Sequence, residues 1–127
     1  MVFGACEVMR HESPGGKIMH AELQIGDSRH MLRDEFPESG CVSPKTLKGT
    51  AVGLYLYVDD ADVAFQRALK AGAKAKCPMA DMFWGDRCGT FIAPFGHSWM
   101  VATHVEDVPT KELEVRMKKF FSVTAQT

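Results

Sequence analysis

The strongest constraint on this chain is that it repeats itself. Gly15 to Leu32 aligns with Gly85 to Ala102 at an offset of 70 residues, so that Gly15 meets Gly85, Lys17 meets Arg87, Gly26 meets Gly96 and Ser28 meets Ser98. In each copy a Gly-polar-Ser triplet (Gly26-Asp27-Ser28 and Gly96-His97-Ser98) separates two apolar, strand-like runs. A tight turn between antiparallel strands requires such a triplet, because glycine takes a positive φ at no steric cost. A repeat on this scale predicts a duplicated supersecondary unit.

The second unit reads as whole. Ala51 to Val58 is an apolar, aromatic-rich run suited to a buried strand. Asp59 or Asp60 caps the helix expected next, in which Ala61, Ala64, Phe65 and Ala68 recur at i, i+3, i+4 and i+7 before Gly72 stops it. Lys74 to Cys77 is a short strand ended by Pro78, and the hairpin follows a loop carrying Phe83-Trp84-Gly85. The expected order is strand, helix, then three strands.

The first unit has a hairpin and a leading strand, about Cys6 to Arg10, with no strand or helix before it. Phe3-Gly4-Ala5 echoes Ala71-Gly72-Ala73, the end of the helix in the second unit. The expected organisation is a single domain over 1–127. It comprises an incomplete first module at about 1–42, a polar linker at about 43–50, a complete second module at about 51–107 and a C-terminal helix at about 110–122. That last helix places Leu113, Met117, Phe120 and Phe121 on one face.

Composition excludes several classes. A hydrophobic fraction of 46% and a charged fraction of 24% describe an ordinary globular chain. A net charge of -1 supplies no field for nucleic acid or an anionic membrane. No run approaches membrane-spanning length, and the opening residues lack a signal-peptide pattern, so a cytoplasmic location is expected. Cys6, Cys41, Cys77 and Cys88 form no C-x-x-C pair, which favours reduced thiols acting as small buried hydrophobes over a disulfide frame or a zinc site.

Paired strand-helix-three-strand modules are the fold of the vicinal-oxygen-chelate superfamily, which includes the glyoxalases, bleomycin-resistance proteins and extradiol dioxygenases. This sequence resembles it over roughly residues 3–107. Lys17-Ile18-Met19-His20-Ala21-Glu22-Leu23, Asp34-Glu35-Phe36-Pro37, Trp84-Gly85-Asp86-Arg87, Pro94-Phe95-Gly96-His97-Ser98-Trp99 and Ala102-Thr103-His104-Val105-Glu106-Asp107 are similar to one glyoxalase- or bleomycin-resistance-like subfamily. Its members are sometimes labelled demethylubiquinone methyltransferases; no Gly-rich nucleotide-binding turn supports that label here. The resemblance implies an α+β fold of paired βαβββ modules, the first lacking its leading strand and helix.

It also implies where a metal would be held, with ligands from the first and fourth strands of each module. The metal would polarise vicinal substrate oxygens or activate dioxygen. In this sequence those positions carry His30 in the first unit and Gly53 and Met100 in the second, and the fourth falls on the absent strand. Glycine has no ligating atom and a thioether suits a hard cation poorly. No cofactor and no metal site are therefore expected.

By the strand parity that the resemblance implies, Tyr55, Tyr57, Met100 and Ala102 line a cavity with Ser28, His30 and Leu32. Trp84 and Arg87 form a pocket lip, or Arg87 simply pairs with Asp86 to anchor the loop. The expected ligand residues are thus Tyr55, Tyr57, Trp84, Arg87, Met100 and His30. His20 and Glu22 alternate on one strand face and are expected on a solvated outer surface, while His104 is expected to end its strand near solvent. An aromatic, apolar lining fits a small-molecule binding protein, with an aromatic or cationic ligand. The alternative is a metal-dependent lyase, isomerase or dioxygenase whose site is completed across a dimer by His20, Glu22, His30 or His104. An open edge at the His30 strand predicts a homodimer.

Overall fold

A computed structural model describes residues 3–125; Met1 and Val2 of the first module, with Gln126 and Thr127, lie outside the described residues. The chain forms two sheets. Strands β1 (Cys6–Glu12), β2 (Ile18–Ile25) and β3 (Ser28–Leu32) make an antiparallel sheet in sequence order. Strands β4 (Gly53–Tyr57), β5 (Lys74–Asp81), β6 (Asp86–Ile92) and β7 (Ser98–His104) make the second, ordered β4-β7-β6-β5, with β4 parallel to β7. The repeat therefore sets β1, β2 and β3 against β5, β6 and β7. In the second unit β7 has β4 on its outer side, whereas β3 has no such neighbour among the described residues.

Helix α1 (Pro44–Leu47) follows β3 and precedes β4 along the chain, and α2 (Ala61–Lys70) joins β4 to β5. The expected linker thus contains a helical turn, because Ser43 accepts a hydrogen bond from the Thr46 N–H at 3.3 Å and Pro44 suits the first helical position. Glu35 ties this turn to the first sheet, accepting from the Ser43 N–H at 2.9 Å and the Thr46 hydroxyl at 2.6 Å.

Helix α2 follows the sequence reading closely. Asp60 caps it, accepting from the Val63 N–H at 3.1 Å. Its end is a Schellman turn, with Gly72 N–H donating to Leu69 and Ala73 N–H to Ala68, which needs the positive φ of Gly72. The buried stripe is Ala61, Ala64, Phe65 and Ala68, packed on Phe91 and Val101. The small residues let the helix approach the sheet, and Gly89 completes the fit. A Cβ there would lie 2.7 Å from the Met79 sulfur and 3.2 Å from the Phe65 ring.

Three boundaries differ from expectation. Strand β5 continues through Pro78 to Asp81, because β5 is a sheet edge and register shifts flank the proline, so its missing N–H breaks no ladder. Strand β1 extends to Glu12, and the C-terminal helix α3 spans Thr110–Ala125. Arg116 anchors α3 by pairing with Glu106 at 2.8 Å, and Phe120 meets the Phe83 ring at 5.2 Å.

Burial separates the two units. The first sheet buries only Ala21 and Glu22, and every residue of β1 is exposed. Its links to the second unit are aromatic: Phe3 meets Trp99 at 5.1 Å and Phe91 at 6.2 Å, and His30 meets Trp99 at 6.0 Å.

Candidate functional site

Strand pairing defines the face of the second sheet that α2 leaves open. Gly53, Ser98 and Ile92 lie in one row across β4, β7 and β6. Tyr55, Met100 and Thr90 form the next, then Tyr57, Ala102 and Cys88, and finally His104 and Asp86. The alternation places Leu54, Leu56, Phe91 and Val101 on the opposite, helix-covered side.

The far end of this open face is closed by an aromatic cap over one carboxylate. Asp86 is 1% exposed, and its Oδ2 accepts hydrogen bonds from the Tyr55 hydroxyl at 2.5 Å, the Tyr57 hydroxyl at 2.6 Å and the Trp84 indole N–H at 3.1 Å. Its Oδ1 lies 3.0 Å from Nδ1 of His104, whose Nε2 reaches Asp107 at 2.6 Å. Burial pushes the Asp86 carboxyl up, but the hydrogen bonds from Tyr55, Tyr57, His104 and Trp84 outweigh it and hold Asp86 below the usual carboxylate range. Asp107, then Asp86, raises His104 above its ordinary value, which favours imidazolium. Burial and the Asp86 bond keep the Tyr55 phenol protonated well past its usual range. The rings of Tyr55 and Tyr57 lie 5.2 Å apart, beside Ala102 and Cys88, which are fully buried or nearly so. Yet Tyr55 and Tyr57 are themselves 44% and 59% exposed, so the outward sides of both side chains remain open.

At the near end the face opens into a cleft of about 670 Å³, lined by Gly53, Ser98 and Ile92 of the first row and by Lys45, Lys48 and Lys76. The linker helix forms one wall. Gly96 seats it: with φ at +93°, its Cα faces Pro44 so closely that a Cβ would lie 3.0 Å from the proline ring.

The expected ligand residues divide. Tyr55, Tyr57 and Trp84 converge on Asp86, and Met100 shares their face, half-buried beside Tyr55. Arg87 does not join them, because strand alternation turns it to the helix side, where it pairs with Asp62 at 2.8 Å and Asp81 at 3.3 Å. Neither pocket lip nor Asp86 partner describes it. His30 lies against Trp99, across the second sheet from Tyr55, and Ser28 and Leu32 are exposed. Ala102 lies under the cap and lines nothing open.

Glu22 is also misplaced by the sequence reading. It is 7% exposed rather than solvated, facing His20 at 3.7 Å and Arg29 at 4.0 Å. Of the cysteines only Cys88 is buried, where burial pushes its thiol up; Cys6 and Cys77 are exposed on edge strands and Cys41 is intermediate. Sequence reasoning missed Asp86 as the hub. The available signal was its alternation with Cys88 and Thr90, which puts it on the tyrosine face. The lysine cleft left no signal, since Lys45 and Lys76 lie far apart in the sequence and nothing local joins them.

The residues present do not fit the divalent metal that the superfamily fold implies. Gly53 offers no donor, Met100 offers a thioether and His30 stacks away from both. Among the described residues no group of three or more His, Cys, Asp or Glu is placed to hold a metal ion. No helix among them is long and apolar enough to cross a membrane.

Comparison with known proteins agrees with the architecture. An uncharacterised protein of Mycobacterium bovis is 40% identical over 118 residues, which span 91% of this chain and 78% of that protein. The crystal structure of TioX from Micromonospora sp. ML1 is 30% identical and covers 82% of each chain with a TM-score of 0.62. A gene product of Arabidopsis thaliana is 27% identical over 80% of this chain and 79% of its own, with a TM-score of 0.60. The family model described as Glyoxalase/Bleomycin resistance protein/Dioxygenase superfamily matches residues 2–101. The chain belongs to the glyoxalase/bleomycin resistance protein/dioxygenase superfamily.

Proposed function

We propose that this protein binds a small molecule without a metal, presenting the open face of the second sheet to a flat, aromatic ligand. One observation carries the reading: Asp86 fixes the hydroxyls of Tyr55 and Tyr57 while leaving both residues about half exposed. Ordinarily an exposed tyrosine loses rotamer freedom when a ligand stacks on it; here that freedom is already lost on folding. Aromatic stacking on such a surface contributes about 0.5–1.5 kcal/mol per ring beyond burial.

The test is calorimetric titration with planar aromatic compounds, in the presence and absence of a chelator. Binding that survives chelation and weakens several-fold in Tyr57→Leu supports the reading. Stoichiometric metal uptake that binding requires would overturn it and favour a metal-dependent enzyme.

A second copy of the chain is the proposed cover for the first sheet. Val8, Met9, Met19, Met31 and Leu32 are exposed there, and the outer edge of β3 is free to pair among the described residues.

A further inference from the structure

We propose that the cleft at the near end of the open face binds the anionic group of a small molecule, a carboxylate, phosphate or sulfonate, through Lys45, Lys48 and Lys76. The inference rests on the reading of this face as a ligand site and narrows the ligand to an acidic one.

Charge selection is the first argument. Three lysines, Lys45, Lys48 and Lys76, line one cleft of about 670 Å³, and no Asp or Glu lines it. In a chain whose net charge is -1, with 16 acidic residues to place, this local imbalance is not a reflection of composition. None of the three lysines joins an ion pair with a carboxylate among the described residues. Lys45 instead lies 5.3 Å from the Phe95 ring, a weak partner that leaves its hydrogen-bond donors free for an oxyanion. Like charges gathered around a concave surface focus a positive potential, which attracts anions and repels cations.

Space is the second argument. A Cβ built on Gly53 meets nothing within 4 Å, so the strand leaves an opening at the floor of the cleft. Ser98, beside Gly53 on the same face, adds a hydroxyl that can donate to an oxyanion. The lysines also come from different places in the chain. Lys45 and Lys48 ride on the linker turn held by the Pro44–Gly96 contact, and Lys76 comes from the edge strand β5. Tertiary structure is what assembles them.

Position is the third. Gly53 and Tyr55 are two residues apart on one strand face, which sets the anion site about 7 Å from the first tyrosine. A ligand with an acidic group on a flat ring therefore spans both ends of the face.

The experiment is titration calorimetry of the full chain with three probes: 2-naphthoate, 2-naphthol and inorganic phosphate. The expected result is that 2-naphthoate binds about tenfold tighter than 2-naphthol, as a charge-assisted contact should. The advantage should fall when salt is raised from about 0.05 M to about 0.5 M, because screening acts on the charged probe alone. It should disappear in Lys45→Gln/Lys76→Gln, whose replaced side chains are exposed, and reverse in Gly53→Asp, which puts a carboxylate in the opening. Circular dichroism and the thermal midpoint verify that each variant is folded. Equal binding of naphthoate and naphthol overturns the inference and leaves the tyrosine surface standing. Phosphate binding that depends on the lysines, with no naphthol binding, supports the anion site and removes the aromatic reading. Naphthoate binding indifferent to all three substitutions, or no anion binding at all, overturns the assignment to this cleft.

Discussion

The two units share one hairpin plan but not one fate. In the second, α2 lays Ala61, Ala64, Phe65 and Ala68 on Phe91 and Val101, and those six residues form the buried core cluster. In the first, the corresponding strands carry Val8, Met9, Met19 and Met31, which stay exposed. The strands are equally apolar; what differs is cover. A sheet buries an apolar face well only when a second layer lies on it, and among the described residues no helix packs on the first sheet as α2 packs on the second. The difference teaches that the stability of this chain resides in the second unit, and that the first sheet depends on something outside itself.

The largest effect should come from breaking the covered side. Phe65→Ala removes the ring between α2 and Phe91 and should cost about 3–5 kcal/mol. Val8→Ala, the same kind of truncation on the exposed β1, should cost under about 0.5 kcal/mol. Urea denaturation of both variants tests the contrast; comparable losses would show that the first sheet is buried after all.

Removing the hub of the aromatic cap comes next. Asp86→Ala removes the shared acceptor of the Tyr55 and Tyr57 phenols and the Trp84 indole, leaves His104 with Asp107 alone, and should cost about 3 kcal/mol. It should also loosen the tyrosines, seen as altered tyrosine and tryptophan fluorescence. The pH dependence follows from the two shifts. Asp86 is depressed on folding, so its contribution is complete above its unfolded value of about 4 and is lost as pH falls through the folded value. His104 is raised, so its contribution is complete below its unfolded value of about 6.5 and is lost as pH rises through the folded value. The cap is therefore firmest between the two unfolded values, from about pH 4 to about pH 6.5, and weakens on either side as Asp86 gains a proton or His104 loses one. In Asp86→Asn the NMR titration midpoint of His104 should fall yet stay elevated, since Asp107 remains; an unchanged midpoint would refute the coupling.

The state of assembly sharpens the comparison from the exposed side. Light scattering at low micromolar concentration should give twice the 14.1-kDa chain mass, with Leu32→Lys on the β3 edge strand shifting it toward one chain. A well-folded monomer would mean the first sheet needs no cover. The smallest effect expected is in ligand recognition at rest: Arg87→Gln should leave aromatic binding unchanged, because Arg87 pairs with Asp62 and Asp81 behind the sheet. A several-fold loss would contradict that placement.

Much of the fold was legible from residues close in sequence. The Gly-polar-Ser turns of the repeat, a cap at Asp59 or Asp60, the i, i+3, i+4, i+7 stripe of α2 and the Gly72 stop each rest on interactions spanning a few residues, and each matches the structure, with Asp60 as the cap. Strand parity likewise placed Tyr55, Tyr57 and Met100 on one face. Parity within a strand says nothing of which neighbour meets which side chain, and that is where the reading of the site stopped. Arg87 was legible as a cation beside Trp84 but not as the partner of Asp62, which lies on a helix 25 residues earlier. Glu22 was legible as polar but not as buried, because burial is set by neighbours outside its own strand, such as Arg29 of β3.

The sequence by itself determined the modules, their family and the poor donor set at Gly53, which has no side chain, and Met100, which has a thioether, since these are properties of residue type and local spacing. Only the tertiary structure decided that Asp86 gathers four donors from β4, β7 and the Trp84 loop. It alone brought Lys45 and Lys48 of the linker to Lys76 of an edge strand. The physical reason is the same in both cases: hydrogen bonds and focused charge act over a few ångströms, and folding sets those distances between residues far apart in the chain.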